Sequence, residues 1–229
     1  MKNIFLETGN VSNFNTMCHE LKDPTSLIGP SLVMITSPAG RGKSEAAKRY
    51  VIHNEAVYIP PLNIRTPPMV LREITFELCK VSPVRSETCL TLIGNEMAKK
   101  RRPIIVDEAD LLSMSILEML RNINERFACP IVLIGEEELK GKLDKKRRIS
   151  SRIRRRIEFS PVSQADVSLF FKKALDLDIS PTVTSIIHRH SSGDWRPVIT
   201  MAIAFERAIK ASNIKVITPE LAKDVTEHT

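Results

Sequence analysis

Apolar and polar positions along the chain follow two rhythms. Four short runs are apolar at every or almost every position: Leu32-Val33-Met34-Ile35, Val57-Tyr58-Ile59, Ile104-Ile105-Val106 and Ile131-Val132-Leu133-Ile134. Runs this short and without alternation read as strands buried on both faces of a sheet. Between them, apolar residues recur every three or four positions, the period of a helix with one buried stripe. Val70, Ile74 and Leu78 form such a stripe in a helix opened by Pro67-Pro68 and running to Lys80. Leu90, Ile93 and Met97 do so between Ser86 and Lys99, and Ile116, Leu120, Ile123 and Phe127 in a helix beginning at Ser115. A shorter N-terminal helix over Phe14, Met17, Cys18 and Leu21 is expected to stop at Lys22-Asp23-Pro24. Strands alternating with helices predict an α/β fold with a parallel sheet covered on both faces, closed by a last strand at Ile157-Glu158-Phe159.

From Pro161 onward the apolar runs cease and only the helical period remains. Ser163 followed by Asp166 is a capping box for a helix carrying Val167, Phe170 and Ala174. A helix over Thr182–His190 stops at Ser192-Gly193, and another starts near Asp194 with Val198, Met201, Ala202, Phe205 and Ile209 before Asn213. Thr218-Pro219-Glu220 opens a last short helix. The boundary is expected at Ser160, giving an α/β domain over 1–159 and a small helical domain over 160–229.

Composition changes this picture little, since 42% hydrophobic and 27% charged residues are ordinary for a globular chain. The distribution of charge is more telling. Lys140–Arg156 holds ten basic residues against Asp144 alone, so this stretch exceeds the net +7 of the whole chain. A local excess of that kind predicts a site facing a polyanion, with Lys140, Lys142, Lys145, Lys146, Arg147 and Arg148 as the candidate contacts. Cys18, Cys79, Cys89 and Cys129 form no C-x-x-C pair and read as thiols in a reducing compartment. With no leader-like segment and no run long enough to span a bilayer, a cytoplasmic protein without a membrane partner is expected.

The chemistry centres on Ser37-Pro38-Ala39-Gly40-Arg41-Gly42-Lys43-Ser44, which lies between the first apolar run and the helix-like Glu45–Tyr50. Strand, glycine-containing turn, Gly-Lys-Ser and helix is the arrangement that cradles nucleoside triphosphate phosphates with backbone N–H groups and a helix N-terminus. Lys43 is expected to neutralise the β- and γ-phosphates of ATP, and the Ser44 hydroxyl to coordinate Mg²⁺. Ser37 stands where the pattern has its leading glycine, a position open to serine when its φ is negative. The run Ile104-Ile105-Val106 ends in Asp107-Glu108: Asp107 suits Mg²⁺, and Glu108 suits the base that polarises the attacking water.

The phosphate loop, the Ile-Ile-Val-Asp-Glu strand, Ser151-Arg152 ahead of a strand and Gly193-Asp194-Trp195-Arg196 stand in one order. Together they resemble the AAA+ ATPases, and among these the DNA-transposition regulators of the phage Mu B and TnsC type. The resemblance spans about residues 8–225 and implies a P-loop NTPase parallel sheet with a C-terminal helical lid domain. It implies Arg152 as the finger inserted into a neighbouring subunit's site, and Arg196 as the lid residue that touches the γ-phosphate. The polar sensor of the family lies just after the fourth strand, where this chain has Glu136 in place of Asn, Thr or Ser. A carboxylate there repels the γ-phosphate unless protonated or turned away, which predicts weak intrinsic hydrolysis. Trp195 is expected to anchor the lid, and His188 and His190 to lie on its surface.

The function implied is an ATPase that assembles on double-stranded target DNA as a ring or helical filament and recruits or stimulates a transposase. The same core also serves helicase loaders and replication initiators. A nucleotide-gated protein-remodelling switch without nucleic acid is the reading from a different class, and the basic segment speaks against it.

Overall fold

A computed structural model of the chain describes residues 1–23, 29–61, 66–212 and 216–227. Five strands form one sheet: β1 (Leu32–Thr36), β2 (Val57–Ile59), β3 (Ile104–Val106), β4 (Ile131–Gly135) and β5 (Ile153–Glu158). Their order is β2-β3-β4-β1-β5 and every pairing is parallel. The register sets Thr36 level with Gly135 and Val106 level with Leu133. All strands therefore end on one edge, and the residues just beyond β1, β4 and β3 lie side by side there. β1, β3 and β4 are buried at every position, as both-face coverage requires.

The helices in chain order are α1 (Gly9–Lys22), α2 (Lys43–His53), α3 (Pro67–Cys79), α4 (Ser86–Lys99), α5 (Met114–Phe127), α6 (Glu137–Asp144), α7 (Arg147–Ser150), α8 (Gln164–Leu175), α9 (Pro181–Ser191), α10 (Trp195–Ser212) and α11 (Pro219–Glu227). The expected stripes are the buried ones: Val70, Ile74 and Leu78 of α3 and Ile116, Leu120 and Ile123 of α5 all face one core with the sheet. Lys80 ends α3 in a left-handed conformation, its N–H bonded to the Phe76 carbonyl. The stops expected at Pro24 and Asn213 lie outside the described residues.

The chain forms two compact units. One holds residues 11–38 and 43–159 and contains the sheet; the other holds 1–10, 39–42 and 160–229. The second has its own core, in which Val167, Phe171, Ile187, Met201, Ala202 and Phe205 are buried together. Its first long helix is fixed by the expected capping box: Ser163 Oγ accepts the Asp166 N–H at 3.1 Å, and Asp166 Oδ2 accepts the Ser163 N–H at 3.1 Å. Trp195 packs against Phe170 with ring centroids 5.5 Å apart. His188 departs from the expectation of a surface histidine, because it is half-buried and its Nε2 bonds the Val162 carbonyl at 2.8 Å.

The final strand differs from the sequence reading. It begins at Ile153, four residues before Ile157, and takes in Arg154, Arg155 and Arg156, which are exposed. β5 is an edge strand with β1 as its one neighbour, so its charged side chains reach water while its backbone pairs. Arg155 pairs with Glu20 and Arg156 with Asp144. The basic stretch is therefore two structures, a helical pair and a strand. Among the described residues no helix is long and apolar enough to cross a membrane.

Ser163→Ala is expected to destabilise the helical unit by about 1 kcal/mol, the usual loss when a serine cap is removed. Unfolding in urea followed by the fluorescence of Trp195, the chain's one tryptophan, reads this unit directly. An unchanged midpoint would show that the box does not hold α8.

Candidate nucleotide site

The loop after β1 is shaped by two glycines in the left-handed region, Gly40 at φ 78° and Gly42 at φ 86°, where a side chain is strained. Ser37 is fully buried and has no positive φ, so serine fits the leading position of the turn. Lys43 opens α2 and curls back along the loop. Its Nζ donates to the Ser37 carbonyl at 2.6 Å, the Ser37 Oγ at 2.9 Å and the Pro38 carbonyl at 2.9 Å. An incoming phosphate competes with these bonds for the ammonium, and the positive end of the α2 dipole faces the same loop. Ser44 follows, half-buried, in the first turn of the helix.

Residues Ala39–Gly42 belong to the helical unit. There the Trp195 N–H donates to the Gly40 carbonyl at 3.0 Å. Arg41 Nη1 donates to the carbonyls of Ser192, at 2.8 Å, and Gly193, at the C-terminal end of α9. A Cβ on Gly40 would lie 1.8 Å from Asp194 Oδ1, so a larger residue there would both strain the backbone and displace the Asp194 side chain. Arg41, proposed from sequence as a phosphate-loop residue, thus spends Nη1 on backbone carbonyls of its own unit. Arg196 lies on the first turn of α10, exposed, with its N–H bonded to Asp194 Oδ1 at 2.8 Å.

Asp107 follows β3 and is 4% exposed. Its Oδ2 accepts the Tyr58 hydroxyl at 2.7 Å and its Oδ1 accepts the Glu108 N–H at 3.0 Å. Among the described residues no lysine or arginine pairs with it. A buried carboxylate supported by neutral donors alone is a ligand set that suits a divalent cation. Asp107 together with the Ser44 hydroxyl would hold Mg²⁺, which supplies charge to offset the phosphate oxygens. Burial, and next the carboxylate of Asp107, push the Tyr58 hydroxyl well above the usual phenol range, so it stays a donor.

Glu108 is exposed and adopts a left-handed backbone, φ 48° and ψ 41°. Desolvation, and then the carboxylates of Asp107, Asp110 and Glu136, raise its pKa above the ordinary carboxylate value, which makes it a better proton acceptor. Beside it lies a pocket with apolar walls from Ile59, Pro60, Pro61, Val70, Leu111 and Leu112. Glu136 stands directly after β4, exposed, and its N–H donates to Asp110 Oδ1 at 3.1 Å. Since β4 runs between β1 and β3, Glu136 lies at the same sheet edge as the phosphate loop and Asp107.

The proposed finger Arg152 sits exposed in the turn before β5 and pairs with Glu125 of α5, whose other oxygen holds Arg121 at 2.7 Å. Of the candidate DNA contacts, Lys140, Lys145, Lys146, Arg147 and Arg148 are exposed on and around α6 and α7. Lys142 is not one of that row. It is half-buried, and its Nζ donates to the carbonyls of Asp110 and Leu112. Its place on the inner side of α6 turns it toward the Glu108 turn. Sequence reading missed Tyr58 and Asp110 as well. A polar residue in an otherwise apolar strand, and a second aspartate three residues after the first, were the available signals.

A family model described as an AAA domain matches residues 28–143, half of the chain. The chain is 27% identical over 193 residues to general secretion pathway protein A of Aeromonas hydrophila, covering 72% of this chain and 34% of that protein. It is 27% identical over 146 residues to the ATP-dependent target DNA activator B of Escherichia phage Mu, covering 60% of this chain and 47% of the activator. The chain therefore spans between a third and a half of the length of these relatives. Among solved structures, it resembles the Aeropyrum pernix ORC2 protein (TM-score 0.68, 13% identity, 98% of this chain and 68% of the other). It also resembles the Thermotoga maritima RuvB Holliday junction branch migration motor (TM-score 0.66, 16% identity, 98% and 70%). Sheet order, phosphate loop and family match agree, and the chain belongs to the AAA domain family as an AAA+ P-loop ATPase related to the phage Mu target DNA activator B.

Proposed function

We propose that this chain is an ATP-dependent DNA-binding regulator of transposition, which assembles with copies of itself on double-stranded DNA and recruits or stimulates a transposase. The observation that carries this reading is the relationship to target DNA activator B. The exposed row on α6 and α7 supports it, as a surface complementary to a phosphate backbone.

In this reading residues 1–159 form the ATPase core and 160–229 its lid. Lys43 leaves its loop carbonyls to neutralise the β- and γ-phosphates of ATP. Glu108 takes a proton from the attacking water as its oxygen bonds to the γ-phosphorus and the bond to the β–γ bridging oxygen breaks, giving ADP and phosphate. Arg196 senses the γ-phosphate from the lid. Glu136 adds negative charge nearby and keeps hydrolysis slow in the isolated subunit. Arg152 supplies positive charge to a neighbour's site once assembly draws it from Glu125. A second reading, a nucleotide-gated switch acting on protein, is favoured by the similarity to general secretion pathway protein A.

Lys43→Ala is expected to abolish ATP binding. Glu108→Gln is expected to retain ATP while hydrolysis falls by about a hundredfold or more, the scale of a lost general base. Equilibrium binding of a fluorescent ATP analogue and phosphate release measure the two effects separately. Undiminished affinity in the lysine variant would remove the phosphate-loop assignment.

Hydrolysis is expected to be a property of the assembly. Specific activity should rise with protein concentration, and Arg152→Ala subunits should bind ATP yet be slow. Mixing them with Lys43→Ala subunits should restore part of the rate, because each supplies what the other lacks. A rate independent of concentration would defeat the assignment of Arg152.

DNA binding is expected to be weakly sequence-dependent and steeply salt-dependent. Lys145→Ala/Lys146→Ala/Arg147→Ala should flatten the log–log salt slope by about 3, nearly one for each phosphate no longer neutralised. Fluorescence anisotropy on random-sequence duplexes across a salt series reads the slope. No measurable affinity for duplex DNA with ATP present would leave the protein-directed switch as the better reading.

A further inference from the structure

Lys142 has the composition of a DNA contact and the placement of something else. Its ammonium donates to the carbonyls of Asp110 and, at 2.9 Å, of Leu112. Both belong to the turn that begins at Glu108, which includes the 3-10 helix Ala109–Leu111. The same turn accepts a second tie from outside, the Glu136 N–H donating to Asp110 Oδ1 at 3.1 Å. The fit is close: a Cβ on Gly135 would lie 2.5 Å from Asp110 Oδ1 and 3.0 Å from Leu139 Cδ2. Glu108 itself holds φ 48°, a conformation that a residue with a side chain keeps only when its surroundings impose it. The ties from Lys142 and from the Glu136 N–H are part of those surroundings, beside the Glu108 N–H bond to Asp107 Oδ1 and the Leu111 N–H bond to the Glu108 carbonyl, both at 3.0 Å.

We propose that Lys142 is a positioning residue for ATP hydrolysis. From α6 it holds the Glu108 turn in its left-handed conformation and thereby sets where the Glu108 carboxylate stands. The proposal rests on the reading of Glu108 as the base. Without the Lys142 donor, two carbonyls of the turn lose their shared partner, Glu108 relaxes toward negative φ, and its carboxylate moves off the line of attack. Because proton transfer depends on reach at the scale of a hydrogen bond, such a shift removes base catalysis and leaves phosphate binding in place.

The test is a double-mutant cycle between Lys142→Met and Glu108→Gln, read by single-turnover hydrolysis and by ATP-analogue affinity. Lys142→Met is expected to slow hydrolysis at least tenfold with ATP affinity within twofold, and Lys142→Arg, which keeps donors, to recover most of the rate. In the Glu108→Gln background, Lys142→Met should change the residual rate less than twofold, because the group it positions is already gone. A merely structural role would lower the rate again in that background, or lower affinity and rate together, and either result overturns the proposal. If Lys142→Met does not fold, Lys142→Gln is measured in the same way, and a wild-type rate in it overturns the proposal equally. A wild-type rate in Glu108→Gln alone sinks the base assignment. A slow Glu108→Gln beside a wild-type rate in Lys142→Met sinks only the role of Lys142.

Discussion

Asp107 keeps a carboxylate at the end of β3 almost wholly out of water, held by the Tyr58 hydroxyl and the Glu108 N–H and paired with no lysine or arginine among the described residues. Removing a carboxylate from water without a counter-charge is expensive, and two neutral hydrogen bonds offset only part of the loss. Much of the local architecture depends on tolerating that charge. The parallel sheet brings β3 to the same edge as the phosphate loop, and β2 must lie beside β3 for Tyr58 to reach. Glu108 must turn left-handed directly afterwards, which leads the chain away from the strand direction and toward α6. The site is built around a stored unfavourable interaction that a cation can relieve.

The acidic side of this edge is counterbalanced unevenly. Lys43 donates three bonds to its own loop, to the Ser37 carbonyl and hydroxyl and to the Pro38 carbonyl. Glu108 meanwhile lies among Asp107, Asp110 and Glu136, and its proton affinity rises for that reason together with desolvation. Positive charge is therefore parked on one side and negative charge concentrated on the other. In the proposed reading a triphosphate would join the two: Lys43 would turn to the phosphates, and Asp107 with Ser44 would hold a divalent cation that supplies charge against the carboxylates.

The four apolar strands were legible because no charged residue interrupts them, and the capping box because its two side chains satisfy each other within one turn. β5 was hidden by chemistry and not by distance along the chain. An edge strand needs no apolar alternation to keep its backbone paired, so three consecutive arginines gave no sign that the strand begins at Ile153. The phosphate loop and the Asp-Glu pair follow from short motifs with a physical reason behind each residue. Lys142, Arg41 and His188 mislead for one shared reason. Sequence places Lys142 toward DNA, Arg41 in the phosphate loop and His188 on the surface, and each is committed to backbone carbonyls that only the folded chain brings near. Charge runs say how many cations there are, while the face of the helix decides which of them meet solvent.

The arginine-bearing edge of β5 has a consequence for how copies of this chain can meet. A bare sheet edge is a template, and a second edge of the same protein is the partner most readily at hand. Here, two such edges laid together would set rows of exposed guanidinium groups, Arg154 to Arg156, against each other. Like charges opposite one another oppose strand pairing. Pairing of two β5 edges is thereby disfavoured, and copies of this chain that met on this side would do so through side-chain surfaces, which can be made and unmade without unravelling a β-ladder.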